Sequence, residues 1–260
     1  HGGIGSDNLF LLDGVPLYQV SHLAGLFSSF NTDIIDNVDF YKSGFPARYG
    51  SRMSSIVDVS TKDGDMQEYH GLFSIGLLDG RFQFEGPIVK GRTSFNVAMR
   101  RSWIDVLSAP ALAIVNGTMR DKTRLHYAFG DFNAKVTHLF APDNKLTAAF
   151  YYGKDSFNFG FDYVGQYKDG ELIPGGEDLT DSDGIELKWG NILASLRWQN
   201  RLTDQLTSDI SAYYTKFSSG TEYHSYWWDH LDEEVFALEG AKENGRSGIS
   251  DIALKAGFRW

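Results

Sequence analysis

The feature that most constrains this chain is alternation of apolar and polar residues over unusually long segments. Phe132, Ala134, Val136, His138 and Phe140 fall on one side of an extended chain, with Asp131, Asn133, Lys135 and Thr137 on the other. The same division sets Ile192, Ala194, Leu196 and Trp198 against Asn191, Leu193, Ser195 and Arg197. It sets Leu206, Ile210, Ala212 and Tyr214 against Thr207, Asp209, Ser211 and Thr215. Near the end, Ile252, Leu254, Ala256, Phe258 and Trp260 oppose Asp251, Lys255 and Arg259. Successive side chains of a strand point to opposite faces, so each segment predicts a strand with one apolar and one polar face. Seven are expected, over His70–Gly86, Thr93–Leu107, Tyr127–Phe140, Lys145–Phe159, Ile185–Asn200, Leu206–Tyr223 and Ser247–Trp260.

Length narrows the choice. Strands of ordinary sheets average about five or six residues, whereas a strand crossing a bilayer needs about nine to eleven plus its extensions. Most of these segments run to about 14 to 17 residues, in the range of membrane strands and beyond that of ordinary ones. Alternation alone does not say which face looks outward. The connections do: Pro87–Arg92, Ala141–Asn144 and Arg201–Gln205 are short, while Ser108–His126, Gly160–Gly184 and His224–Arg246 are expected as long polar loops. Short turns at one rim and long loops at the other characterise a transmembrane barrel, with the long loops extracellular. Phe140, Trp198, Trp103 and Tyr214 stand near strand ends, as interfacial aromatic residues do.

Composition removes other classes. With no cysteine, there is neither a disulfide framework nor a thiolate metal site. A net charge of −10 lacks the basic stripe that a nucleic-acid partner requires. No apolar run approaches the length of a membrane helix; the most apolar segment, Val106 to Val115, is interrupted by Ser108 and Pro110. A mean hydropathy of −0.29 looks soluble, but barrel strands look the same because half their residues face a polar lumen.

Before about Lys62 the texture changes to short, punctuated elements, and three ordered motifs appear. The first is Gly5-Ser6-Asp7-Asn8-Leu9-Phe10-Leu11-Leu12-Asp13-Gly14-Val15-Pro16-Leu17. The second runs from Ile34-Ile35-Asp36-Asn37-Val38 to Gly44-Phe45-Pro46-Ala47-Arg48-Tyr49-Gly50, and the third is Met53-Ser54-Ser55-Ile56-Val57-Asp58-Val59-Ser60-Thr61-Lys62. Together they resemble the plug domain of TonB-dependent outer-membrane receptors. His70-Gly71, Glu85-Gly86-Pro87-Ile88 and Arg100-Arg101-Ser102-Trp103 are similar to the barrel start of the Bacteroidetes-type branch. Gly-Phe-Pro-Ala-Arg in place of the commoner Gly-Pro-Ser-Ala turn marks a subgroup and leaves the cargo open.

The resemblance implies a β-dominated fold: a small mixed α/β plug over residues 1–64, then antiparallel transmembrane barrel strands over 65–260. It implies a helix near Thr32–Asn37, and contacts from the plug to inward polar residues such as Asp131, Lys135 or Arg197. The parent barrel would have roughly 22 strands. Seven cannot close, so the chain is expected to be part of a longer one that also carries the coupling box upstream. The implied activity is energy-coupled import of a nutrient, with no enzyme activity and no cofactor. The implied partners are outer-membrane lipid, an inner-membrane coupling protein and, in some branches, a surface lipoprotein lid. A binding, adhesion or secretion-associated barrel without transport is the alternative.

Candidate site residues follow. Asp13 and Gly14 suit a tight reversal, and Arg48, Tyr49, Gly50 and Arg52 belong to the plug turn and its contacts with the wall. His224–Glu234 combines Tyr226, Trp227, Trp228, Asp229 and His230 with further carboxylates, a candidate cargo surface favouring neutral or cationic ligands. Its alternative reading is an aromatic cluster packing a loop onto itself. Asp178–Glu186 has an Asp-x-Asp-Gly spacing but not that of a calcium-binding hand, and reads better as a solvated acidic loop. Neither Gly-x-Ser-x-Gly nor Gly-x-Gly-x-x-Gly occurs.

Overall fold

A computed structural model describes residues 8–22, 25, 27–42, 55–168, 171–232 and 235–260. Its N-terminal part is a four-stranded mixed sheet with a small hairpin beside it. The sheet contains β1 (Asn8–Leu12), β2 (Val15–Pro16), β5 (Ile35–Lys42) and β6 (Ser55–Thr61), in the order β2-β1-β6-β5; β3 (Ser21–His22) and β4 (Phe27–Ser28) form the hairpin. β1 and β6 are parallel, and the other pairs are antiparallel. Asp13 and Gly14 both have positive φ, 51° and 79°, so this pair makes the two-residue turn whose twist matches the strands it joins. The helix expected near Thr32–Asn37 is a single 3-10 turn, Thr32–Ile34, capped by the Asn31 side chain. From Ile35 the chain is extended, because Ile35 and Val38 sit in register with Thr61 and Val59 and gain a strand partner that a helix would forgo.

The rest is one eight-stranded antiparallel sheet. β7 (His70–Ile75), β8 (Asp79–Val89) and β9 (Thr93–Ser102) precede α1 (Ile104–Thr118). Then come β10 (Lys122–Ala141), β11 (Asn144–Val164), a small hairpin of β12 (Tyr167–Lys168) and β13 (Glu171–Leu172), β14 (Thr180–Thr203), β15 (Leu206–Asp232) and β16 (Val235–Arg259). Neighbours in the sheet are neighbours in sequence, from β7 to β16, and the sheet is open between these two edges. Among the described residues no helix is long and apolar enough to cross a membrane, whereas the strands from β10 onward, β12 and β13 apart, have 20 to 27 residues.

Three expectations are corrected. The single strand His70–Gly86 is a hairpin, turned at Gly76-Leu77-Leu78, where Gly76 N–H donates to the Asp79 carbonyl at 2.7 Å. Two leucines at a turn give no polar signal. The Trp103 indole holds the turn instead, donating to the carbonyls of Leu77 (3.1 Å) and Gly76. The strand expected to Leu107 stops at Ser102, and half of the following loop is α1, begun by an Arg101–Asp105 ion pair at 2.8 Å. The loop expected at His224–Arg246 is strand: β15 and β16 pair from Thr207↔Arg259 out to Asp232↔Val235.

The two faces of the sheet are unlike. Inward positions on β9, β10 and β11 include Ser94, Asn96, Arg100, Asp131, Asn133, Lys135, Thr137 and Asp155, all buried beneath the N-terminal sheet. Outward positions include Phe82, Val136, Phe140, Leu196, Trp198, Ile252 and Leu254, all exposed. The apolar residues between the sheets are few: Leu12, Val15, Leu17 and Val59 pack on Tyr151 and Leu193.

Gly190 tests how tightly the wall is drawn. A Cβ there would lie 2.3 Å from the Gly153 carbonyl oxygen on the neighbouring strand. Gly190→Ala must therefore move backbone between β11 and β14. We expect a loss of about 1 to 3 kcal/mol in denaturant unfolding, against little change for Gly257→Ala, whose nearest neighbour would be 3.8 Å away.

Candidate functional site

The contact between the N-terminal segment and the wall centres on His22, at the end of β3. Its Nδ1 lies 2.6 Å from Asp155 Oδ2 and its Nε2 2.9 Å from Asp131 Oδ1. A carboxylate only accepts, so both ring nitrogens must carry hydrogens, and the ring is an imidazolium. Burial pushes the His22 pKa down, but the hydrogen bonds and charges of Asp131 and Asp155 outweigh it and hold it at about 9. The ring lies parallel to Phe129, with centroids 4.3 Å apart.

Around this ring the charges balance. Arg100 grips Asp131 through Nε (2.9 Å) and one terminal nitrogen, and the same nitrogen donates to the Ser28 carbonyl at 2.6 Å. Tyr151 donates to Asp131 at 3.0 Å, and Tyr127 to Asp155 at 2.5 Å. Two cations, His22 and Arg100, thus face two anions, Asp131 and Asp155, all buried. Strand alternation explains the convergence: Asp131 and Tyr127 are inward positions of β10, Tyr151 and Asp155 of β11, and Arg100 lies opposite Asp131 on β9.

A second anchor lies toward the short turns. Asp13 accepts from Thr61 N–H (2.9 Å), Thr61 Oγ1 (2.7 Å) and Lys135 Nζ (3.1 Å). Lys135 also donates to the Thr61 carbonyl at 2.6 Å and pairs with Asp63 at 3.1 Å. Burial would raise the Asp63 pKa, but Lys135 and Lys145 (2.9 Å) together lower it. Gly14 N–H donates to Asp58 at 3.2 Å. A third set ties the opposite half: Asn191 Nδ2 donates to the Gln19 carbonyl (2.9 Å), Thr215 to the Pro16 carbonyl (2.9 Å), and Tyr18 to Asp251.

Of the expected wall contacts, Asp131 and Lys135 meet the N-terminal segment. Arg197 instead pairs along the wall with Asp209, its Nε donating at 2.8 Å. Asp13 and Gly14 form the turn expected of them. Arg48, Tyr49, Gly50 and Arg52 lie outside the described residues. The reading missed His22, Arg100, Tyr127 and Asp155; their one signal is that ionisable residues occupy inward positions otherwise filled by small or neutral ones.

Tyr226, Trp227, Trp228, Asp229 and His230 lie in β15, not in a loop. The register is unbroken from Thr207 to His230, so residue parity is kept: Trp227 and Asp229 share the inward side with Tyr213 and Thr215. Tyr226 and Trp228 share the outward side, where Tyr226 stacks on His224 at 5.6 Å. Trp227 and Trp228 therefore cannot form one platform. Asp181, from the calcium-like segment, accepts from Gln166 (2.9 Å) and Trp228 N–H (2.8 Å). Among the described residues no group of three or more His, Asp or Glu side chains could hold a metal.

His22→Ala leaves two carboxylates facing Arg100 alone, which should cost about 3 to 5 kcal/mol of the attachment. His22→Gln, whose amide nitrogen can donate to one of the two carboxylates without the charge, should lose less. Because the folded pKa is raised, stabilisation by His22 is complete below the unfolded value of 6.5 and disappears as pH climbs through about 9. Hydrogen exchange of β3 and β4 between pH 6 and 10, corrected for intrinsic rates, should show this loss in the parent and not in His22→Gln.

No protein-family model matches the chain, and no curated protein matches it. Solved structures do. The outer-membrane transporter YddB from Escherichia coli is 11% identical, with a TM-score of 0.41, over 97% of this chain and 46% of that one. The ferric-catecholate import receptor Fiu from E. coli K12 is 10% identical, with a TM-score of 0.45, over 98% and 50%. The siderophore receptor PirA from Acinetobacter baumannii is 10% identical, with a TM-score of 0.39, over 97% and 51%. The chain spans about half the length of the solved structures to which it is similar.

Proposed function

We propose that this chain is part of an outer-membrane transport receptor, in which residues 1 to about 64 are the plug and residues 65–260 part of the barrel wall. The observation that carries the reading is the inversion of the large sheet. Its buried face is largely polar and charged, while its exposed face carries, toward the short turns, a field of apolar and aromatic side chains across eight strands. In water such a field would be a severe aggregation liability; against hydrocarbon it is the stable arrangement. The three N-terminal motifs and the polar attachment of the N-terminal sheet support plug and wall as partners in import. Charged and polar contacts between such surfaces can be broken and remade in a way that a large apolar core would resist. Force from an inner-membrane coupling protein would release the plug.

Cargo would meet the inward side of the long hairpin. The parity of β15 narrows the aromatic candidates to Trp227 with Asp229, leaving Tyr226 and Trp228 to the outer interface. Trp227→Ala should weaken cargo binding by about 1 to 3 kcal/mol, with Trp228→Ala near neutral. Equal effects, measured by titrating the purified full-length receptor with oligosaccharides and peptides, would return both to a packing role.

Import itself is tested by locking the plug. The chain has no cysteine, so Gln19→Cys with Asn191→Cys, whose side chain and backbone now touch, introduces a single bridgeable pair. A strain carrying only the bridged protein should fail to grow on its oligosaccharide or peptide cargo and recover on reduction. Undiminished growth with the bridge closed would leave the non-transporting alternative.

A further inference from the structure

From the buried Asp155 toward the long hairpins, the two faces of the wall divide their charges by residue parity. Asp155, Trp189, Ser219 and Ser247 lie side by side across β11, β14, β15 and β16, and the register runs on from them without a break as far as His230. Odd positions therefore look inward and even positions outward along this stretch. Every lysine and arginine that β10, β11, β14, β15 and β16 carry from this row upward is even: Lys122, Arg124, Lys188, Lys242 and Arg246. The inward positions carry no lysine or arginine and hold Asp181, Asp183, Asp229, Glu239 and Glu243 instead.

These inward carboxylates are largely uncommitted. Asp181 is taken up by Gln166 and the Trp228 N–H. Among the described residues, Asp183, Asp229, Glu239 and Glu243 face no lysine or arginine within ion-pair distance. The outward side differs, since Lys188 pairs with Glu186 at 2.5 Å and Lys242 with Glu222 at 2.7 Å. Negative charge is thus left over on the inward side alone.

Beneath and among the carboxylates the same face is apolar. Leu125, Phe159, Ile185 and Tyr223 form one row across β10, β11, β14 and β15, and Tyr127, Phe157, Leu187 and Thr221 form the row below. Along β11 the rings make a ladder: Phe159 meets Phe161 edge-on at 5.1 Å, and Phe161 lies against Tyr163 at 6.4 Å. Leu125, Phe161, Tyr163 and Tyr223 are exposed. Asp183 stands one row above Ile185, and Glu243 lies directly opposite Tyr223. Successive rows are about 6.6 to 6.8 Å apart, which is also the advance of an extended chain over two residues. A peptide lying along the strands would therefore set alternate side chains on successive rows.

We infer that this inward wall binds an extended peptide rich in both amines and aromatic or aliphatic side chains, an assignment that rests on the outer-membrane reading above. The apolar side chains lie on Leu125, Phe159, Phe161 and Ile185, and the cations meet Asp183, Glu239 and Glu243. Tyr223 beside Glu243 offers one cation both a carboxylate and a ring. An anionic cargo is repelled here, because no inward cation receives it. A sugar finds rings but no side-chain amide for its hydroxyls, since no Asn or Gln occupies an inward position from Asp155 upward. The outward cations keep the same peptide from the other side of the wall.

The test titrates the full-length receptor in detergent with hexapeptides of alternating Phe and Lys, alternating Phe and Glu, and alternating Ser and Lys, read by calorimetry. The Phe/Lys peptide should bind most tightly, each of the others about tenfold or more weakly. D183N/E239Q/E243Q should lose most of the margin of Phe/Lys over Phe/Glu, while D143N/D204N/E68Q, the same charge change toward the short turns, should keep it. F159A/F161A should weaken the Phe/Lys peptide and leave the Ser/Lys peptide unchanged. Equal affinity of the parent for Phe/Lys and Phe/Glu, or binding of neither, would overturn the proposal, and this comparison decides even where a variant does not assemble. A margin that survives D183N/E239Q/E243Q, or falls equally in the short-turn variant, would overturn it too. Detergent partitioning separates the two levels. A parent that stays in the aqueous phase removes the membrane reading and this inference with it; an integral parent without the preference removes this inference alone.

Discussion

Taking the Asp131 and Asp155 carboxylates out of water costs several kcal/mol each unless cations and donors meet them in good geometry. Here the requirement is met from two parts of the chain at once. Arg100, Tyr127 and Tyr151 come from the wall, and His22 comes from the N-terminal segment. Removing the segment would strip Asp155 of its counter-ion and Asp131 of one of two. The wall's inward charges are therefore stable only while the N-terminal sheet is seated, or while water replaces it. That gives the attachment two admissible states, dry and bonded or wet and open, with little between.

The small apolar contribution to this interface fits the same account. Leu12, Val15, Leu17 and Val59 meet Tyr151 and Leu193 with Val20, Phe30, Ile35, Val57 and Tyr213 packed around them, His22 stacks on Phe129, and hydrogen bonds and ion pairs make up much of the rest. Neutral hydrogen bonds exchange for water at a net cost of about 0.5 to 1.5 kcal/mol each. A polar interface can thus be specific in register yet release without exposing a large oily surface. The oily surface lies on the opposite side of the wall, which owes its arrangement to its surroundings and not to the N-terminal sheet.

Much of this was legible in residue order. The alternation of Asp131 to Phe140 and of Asn191 to Trp198 located the central strands and their two faces, because period two is a local signal. Asp13-Gly14 announced its turn for the same reason. The misreadings share a different cause. Gly76-Leu77-Leu78 turns on an indole contributed from Trp103, and Ile104–Thr118 is helical despite Pro110. His224–Arg246 looks like loop because it lacks apolar alternation, yet its two arms are held by backbone pairing with each other, which needs no apolar face. His22 was invisible because its partners are more than a hundred residues away in sequence. What a residue does across that separation is written in the register of other strands, not in its own neighbourhood.

The long hairpin has a consequence for how such a surface can diversify. β14 accompanies β15 only as far as Tyr226, and beyond it β15 and β16 pair with each other alone. Side-chain direction there depends on parity, so lengthening both arms of the ribbon by two residues preserves which residues look inward. Growth by one would exchange the faces of everything beyond it. The tip can therefore be extended, shortened or rewritten in steps of two with no change to the wall beneath, so that its sequence is free to vary on a scaffold that is held fixed.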